Sequence, residues 1–495
     1  FKFRIILQIK DRGEGRYKKN LSLLPEKWNK FSIPIDDVAA SINEKKIADL
    51  NFFRWNPKND VTVYFDNIRL ISPGFEKADS NSETSTATKN KTTGYSDDIK
   101  YKVKKNVLAK PGNSFSFILE NPTLSSVNSY PWTGIVQLPK KKLANPTTLA
   151  LKSPSGTNLP FQYRILNRWD DGSVKNILID FQPTIEPKRQ KVYSLFWGEN
   201  INDDVSQPVL NIQNLDDKIQ INTGNLKFII NKTHFNLFDT VWLDSNGDNI
   251  FGNNELITEN CDIIISYSGN LFKSSLDYTN YTLKIIESGK MRTCILAQGY
   301  LKSATGQSLC KFETVFNIFA GKNFVEINQN FIFPKHFPVE SALFLTPFPS
   351  KINQIYSPNT GVQMNLPVML FQSDMEKCEV RYGGRQLSFD KNLSDWVDAS
   401  NSSTGITIAL SPNWNLPQKG YYVDKNKLAT YLWAPVASEL DMKNALSSVG
   451  KQSNIVRLTG IKSSHDLLFY FHKEDMAQIE TKETANAFLN PLFIP

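Results

Sequence analysis

The sequence predicts an all-β protein, and three observations predict it. Short apolar runs of strand length follow one another along most of the chain, and the clearest of them, Val174–Phe181, alternates with the period of two that places side chains on opposite faces of a sheet. Gly, Asn, Asp and Pro clusters separate these runs at short spacing, as an all-β chain requires. No apolar stripe of helical period reaches domain-building length; the best helical segment, Met442–Ser448, is short.

The stretch Phe161–Phe181, FQYRILNRWDDGSVKNILIDF, organises the rest. Its halves read as two strands, Gln162–Asn167 and Val174–Phe181. Between them lie Asp170, Asp171, Gly172 and Ser173, a turn in which Gly accepts positive φ without steric cost. Val174, Asn176, Leu178 and Asp180 share one face of the second strand; Lys175, Ile177, Ile179 and Phe181 share the other. Apolar groups on both faces predict a strand central to its sheet. Trp169 and the Asp-Gly turn are read as a structural hairpin.

The run RWDDGSVKNILIDF resembles a hallmark of the exo-rhamnogalacturonan lyase (YetA-like) family. Pro131–Pro139, PWTGIVQLP, is similar to the start of that family's first domain. The resemblance implies a RIFT-type β-barrel followed by a β-sandwich and a helical toroid. It implies a polysaccharide lyase acting by β-elimination on uronate-containing polymers such as rhamnogalacturonan.

Upstream, residues 1–72 read as the second half of a small β-sandwich, with strands at Phe3–Ile9, Leu21–Leu24, Trp28–Ile35 and Val61–Leu70. The last of these, ending Asp66-Asn67-Ile68-Arg69-Leu70, resembles the closing strand of jelly-roll carbohydrate-binding modules. Trp28 and Trp55 are candidates for stacking on sugar rings, weighed against plain core packing. Asp66 resembles the position that holds a structural calcium in such modules. Residues 73–105 begin with a Ser/Thr/Asn/Lys-rich stretch too poor in large apolar groups to offset ordering, and are expected to form a flexible linker.

Residues 106–210 are assigned to the barrel, with further strands at Phe115–Leu119, Thr147–Lys152 and Val192–Trp197. Residues 211–480 are assigned to a large antiparallel sandwich. Its expected strands are Ile219–Ile221, Leu226–Ile230, Asp262–Tyr267, Tyr281–Glu287, Met291–Tyr300, Cys310–Phe319, Phe324–Phe333, Ser341–Leu345, Gly405–Leu410 and Leu467–Phe471. Residues 481–495 are expected to be a tail leading to a missing domain, the helical toroid of the family. On this reading the chain lacks the catalytic helical domain and is weakly active or inactive alone.

Composition narrows the function classes. The 495 residues carry a formal charge of +8, part of it in the run Lys100–Lys110. That run lacks the aromatic interleaving of a nucleic-acid platform, so no nucleic-acid partner is expected. An acidic polysaccharide or oligosaccharide is compatible with the positive excess. No segment is apolar and long enough to span a bilayer. The chain opens at Phe1 inside a strand-like run, which implies a longer polypeptide, and a secreted or periplasmic location is expected. Four cysteines are too few to staple a chain this long. A turn near Thr305 sets Cys310 opposite about Tyr300, not Cys294, so buried free thiols are expected.

The sharpest chemical motif is Asp244–Glu255, DSNGDNIFGNNE. Asp244, Asn246, Asp248, Ile250 and Glu255 fall at positions 1, 3, 5, 7 and 12 of a calcium loop. Calcium is a hard cation that takes several oxygens, with a backbone carbonyl at position 7 and a bidentate carboxylate at position 12. Asn249 stands where such loops carry Gly at position 6, though Asn tolerates the left-handed backbone better than most residues. A uronate lyase also needs a base and a positive group or metal to stabilise the developing dianion. Of the four histidines, His336 follows Lys335 in a Pro-flanked loop, and His465 is read as a structural hydrogen bonder. No catalytic residue carries over from the resemblance. A non-catalytic carbohydrate-binding or scaffold protein is the alternative.

Overall fold

The computed structural model describes residues 3–11, 16–23, 47–53 and 114–494, the last with interruptions at 145, 147–148, 199–204, 207, 335–336, 359–365, 375–376, 391, 412–418, 435–455, 459–462 and 474–478. Trp28, Trp55, Asp66, the linker, His336 and Met442–Ser448 lie outside the described residues. The described structure is all-β in architecture. The chain divides into two compact units, Phe1–Val103 and Lys104–Pro495.

In the first unit Phe3–Asp11 lies between Arg16–Leu23 and Ile47–Phe53, antiparallel to both. The sequence places the first two strands within a few residues and misses Ile47–Phe53.

The second unit opens with a small two-sheet body. Ser114–Glu120, Gln190–Trp197, Leu149–Lys152 and Asn158–Leu159 form one sheet. Trp132–Gln137, Val174–Phe181 and Phe161–Arg168 form the other, with Val174–Phe181 in the centre as expected. Ile177, Ile179 and Phe181 turn into a shared core with Phe117, Trp132, Leu151, Tyr193 and Leu195. The hairpin turn is bonded within itself and to the 138–144 loop. Gly172 sits at φ 81°, a left-handed value that disfavours a Cβ. Asp171 accepts from the Ser173 N–H at 3.0 Å, Trp169 Nε1 donates to the Leu138 carbonyl at 3.0 Å, and the Lys175 ammonium lies 4.6 Å over the Trp169 ring. These contacts match the structural reading of Trp169.

Residues 211–259 form a five-stranded meander: Asn211–Asn214, Lys218–Asn222, Leu226–Asn231, Thr240–Leu243 and Leu256–Glu259. Beyond it runs a ladder of sixteen described strands. Among the described residues a single pair, Lys273 with Lys302, joins its two halves. The halves pack face to face, with Phe331 against Trp433 at 5.8 Å and Phe344 against Phe469 at 6.2 Å between ring centroids. The meander adds Phe235 and Phe238 to the same core, against Phe312 and Phe316.

One half of the ladder matters most for function. It runs Thr282–Ser288, Arg292–Lys302, Ser308–Phe319, Phe324–Ile332, Ser463–Lys473, Thr404–Leu410, Trp396–Ser400 and Gln354–Tyr356. Its inner face is largely apolar, with Thr314, Gln329 and His465 as a polar row. Part of its outer face carries Phe319, Phe324, Leu468, Tyr470, Ala409 and Trp396. That part is covered by the helix Ile479–Leu489, through Ala485 and Ala487, and by Val127 and Tyr130 of the small body. Within the expected tail the helix docks here and Phe493 bridges Glu120. The helix escapes sequence analysis because its buried positions, Thr481, Ala485 and Ala487, are small and make no apolar stripe.

All four cysteines are free and buried. Cys310 pairs with Leu301 and Cys294 with Asn317, one residue from the expected register because the ladder shifts between Leu301 and Lys302.

The small body is fixed to the sandwich through Arg292. Its Nε donates to Asp180 at 2.7 Å and its Nη2 to Glu287 at 2.8 Å, with all three side chains largely out of water. Gln162 accepts from the N–H groups of Met291 and Arg292 at 2.8 and 2.9 Å. A Cβ on Gly289 would stand 2.0 Å from Gln162 Oε1, so a larger residue there would displace the Gln162 amide from its two N–H partners. Arg292→Ala leaves Asp180 buried without its counter-charge, and is expected to cost about 3–5 kcal/mol. Denaturant unfolding measures this; a loss below about 1 kcal/mol would mean the junction adds no net stability.

Candidate functional site

Beyond the apolar part, the outer face of the same sheet becomes polar. Strand alternation aligns Glu326, Asn328 and Asn330 on Phe324–Ile332 with Asn317, Val315 and Glu313 on one neighbour and Leu468, Asp466 and Ser464 on the other. The next strand adds Cys294, Leu296 and Gln298. Most of these polar groups are half-exposed. They also bond to one another. Asn328 Nδ2 donates to Asp466, Ser464 Oγ to Asn330 Oδ1, and Asn330 Nδ2 to Asn328 Oδ1 at 3.1 Å. Gln298 Nε2 and Lys311 Nζ both donate to Glu313, at 2.8 and 3.1 Å. The result is a preorganised surface of amides, carboxyls and hydroxyls.

Glu326 stands where the polar part meets the covered part. Tyr130 Oη donates to its Oε1 at 2.6 Å, and the Tyr130 ring stacks on Phe324 at 5.1 Å. Burial pushes the Glu326 carboxyl up to about 7; the Tyr130 hydrogen bond opposes the rise, Asp466 adds to it and Arg292 opposes it. A carboxyl that titrates near neutrality beside a polar surface is suited to proton transfer. Tyr130 itself is held well above its ordinary value, first by burial and then by the Glu326 charge, so it stays a donor.

The three described histidines do not build this site. Burial lowers the pKa of His465 to about 4, and its ring packs 5.2 Å from Trp433 on the inner face. Its bond to Ser463 Oγ at 2.9 Å fits the structural reading. His472 is buried against Asp398 and Thr407. Burial draws its pKa down, but the Asp398 hydrogen bond and charge reverse this and leave it raised. His234 lies in a separate loop, bonded to Thr233.

The predicted calcium loop connects Thr240–Leu243 to Leu256–Glu259. It brings ligand oxygens of Asp244, Asp248 and Glu255 within 4.8 Å of one another. Asp244 accepts from the N–H groups of Gly247 and Asn249, at 2.6 and 2.9 Å, and Glu255 from that of Ser245 at 2.8 Å. Asn249 takes φ 62°, the left-handed conformation expected of position 6. Asn246 turns its Nδ2 to Asp248 at 2.9 Å, and Ile250 is exposed with its N–H on Asp248 at 2.7 Å. Three converging carboxylates repel one another in the absence of a cation. An all-oxygen donor set of this charge fits a hard divalent ion.

No protein-family profile and no curated protein matches this chain. Solved structures resemble it at low similarity. An alpha-mannosidase from Enterococcus faecalis V583 is 11% identical with a TM-score of 0.41, covering 78% of this chain and 46% of that one. A glycosyl hydrolase family 38 protein from Enterococcus faecalis gives 11%, 0.43, 78% and 47%. A putative aldose 1-epimerase from Escherichia coli K12 is 8% identical with a TM-score of 0.29, covering 54% of this chain and 100% of that one. The chain spans about half the length of the two Enterococcus structures. At these values the likeness assigns no chemistry to this chain.

Sequence reasoning sought a base among the histidines and passed over Glu326. The signal was there: in Phe324–Ile332, FVEINQNFI, Glu326, Asn328 and Asn330 share one parity. A polar face of this kind in a buried sheet asks for an explanation. Carbon-detected NMR titration, with Glu326→Gln as reference, is expected to place the Glu326 midpoint near 7. Tyr130→Phe removes a bond that favours the carboxylate and is expected to raise that midpoint. A midpoint near the ordinary glutamate value would remove Glu326 from the site.

Proposed function

We propose that this chain is the part of a carbohydrate-active protein that holds the sugar and supplies the base, a polysaccharide lyase that cleaves uronate-containing polymers by β-elimination. The observation that carries this reading is the polar outer face ending at Glu326, a half-buried carboxyl with a midpoint near 7. The uronate class comes from the sequence resemblance built on RWDDGSVKNILIDF.

In the reaction, the Glu326 carboxylate takes the proton from the carbon beside the sugar carboxylate. The electrons of that C–H bond form the new double bond as the bond to the leaving sugar oxygen breaks, and water protonates that oxygen. Asn328, Asn330 and Gln298 supply donors and acceptors for sugar hydroxyls. A base is active when ionised, so kcat/KM is expected to rise with pH through about 7 and then level. Glu326→Gln is expected to slow product formation by about 10²–10⁴-fold while binding persists. Ultraviolet absorbance of the conjugated product reads this out; no absorbance rise from any uronate polymer with the full-length protein would end the lyase reading.

A second reading, sugar binding without chemistry, is favoured by one observation. Among the described residues, Tyr130 is the hydrogen-bond partner of Glu326, and the acid whose charge reaches it, Asp466, is itself held by Asn328.

We also propose that Asp244, Asp248 and Glu255 hold calcium, with Asn246 and the Ile250 carbonyl as further oxygens. Bound calcium would neutralise the three carboxylates and stiffen the loop. A chelator is expected to lower the melting temperature, and Asp248→Ala to abolish that sensitivity. Identical melting curves with and without chelator would refute the calcium site.

A further inference from the structure

The polar face alone does not distinguish an acidic sugar from a neutral one. Among the described residues it carries Glu313, Glu326 and Asp466 against two lysines: Lys311, already paired with Glu313, and the exposed Lys284, opposite Leu296 on the edge strand. Arg292 lies nearby but is consumed by Asp180, Glu287 and Asn317. Lys284 stands at the sheet edge, three strands from Asn328, so a cation at the junction end of the face has to come from elsewhere.

The small body provides one. On its outer face Gln162, Asp180 and Thr133 form the row that meets the sandwich at Arg292. The next row is Arg164, Leu178 and Ile135. Residues two apart on a strand stand about 7 Å apart on the same face, so Arg164 lies one step out from the junction. It is exposed. Among the described residues it has no hydrogen bond and no ion pair, whereas Arg168 on the same strand donates to the carbonyls of Ala144 and Gly172. Its charge also reaches the sandwich. Burial pushes the Cys294 thiol up to about 11, and Arg292 and Arg164 act against that rise. Cys294 shares a row with Asn317 and Glu326, two strand spacings or roughly 10 Å across. Arg164 thus stands one row beyond the junction from which the sandwich row of Cys294 and Asn317 leads to Glu326.

We propose that Arg164 anchors a carboxylate of the bound polymer and is the residue that selects an acidic sugar chain over a neutral one. This inference rests on the sugar-binding reading of the polar face. A guanidinium suits the task because its planar fork grips a carboxylate through two parallel hydrogen bonds. Leu178 and Ile135 beside it offer an apolar surface on which a sugar ring can lie.

The test is calorimetric titration of the full chain and of Arg164→Ala and Arg164→Lys, against polygalacturonate and its fully methyl-esterified form. The wild type is expected to prefer the acidic polymer by tenfold or more. Arg164→Ala is expected to erase that preference and leave ester binding unchanged, with an unaltered near-ultraviolet spectrum. Arg164→Lys is expected to keep the charge but lose the fork, and so retain part of the preference. Undiminished preference in Arg164→Ala overturns the anchor while the sugar-binding reading stands. Failure of the wild type to bind either polymer overturns both.

Discussion

The Arg292 guanidinium holds two bodies together. It lies between Asp180, from the central strand of the small body, and Glu287, from the edge of the sandwich sheet. Neither carboxylate could stay buried without it, since an ion stripped of water needs its counter-charge and hydrogen bonds to persist. The remaining donors and acceptors are also used: Thr133 and Gln162 donate to Asp180, and Asn317 accepts from Arg292. A network with its members bonded has one geometry. That geometry sets Tyr130 over Phe324 and against Glu326, and with it the character of the candidate site.

The outer face of the sheet is divided by what covers it. Where the C-terminal helix and Tyr130 lie, the strands carry Phe, Tyr, Leu and Trp; beyond that cover they carry Asn, Gln, Glu, Asp and Ser. Glu326 falls on the boundary. It loses enough water there for its carboxyl to rise toward neutrality, yet remains beside a half-exposed surface. Its properties come from position within the sheet, since Glu313, on the neighbouring strand and two rows along the same face, is held by Gln298 and Lys311 instead.

Much of this was legible in the chain itself. The alternation in Val174–Phe181 gave both the strand and its central place, and the oxygen spacing of Asp244–Glu255 gave a loop whose carboxylates do converge. Three things were not legible. Ile479–Leu489 buries alanine and threonine, so its helical face has no apolar signature. Val368–Asp374 and Lys427–Trp433 are buried on both sides and lack the alternation that marks a half-exposed strand. The candidate site joins Tyr130, Arg292, Glu326 and Asp466, residues brought together by pairing between distant strands. No local pattern records such a meeting.

The single rung between Lys273 and Lys302 has a mechanical consequence. A ladder joined by many rungs would force both halves to share one accumulated twist. Joined at one rung, each half coils to its own degree, and the gap between them is set by the aromatic side chains that fill it. The rung acts as a hinge pin: it fixes where the two layers meet and leaves the angle at which they close to Phe331, Phe344, Phe469 and Trp433.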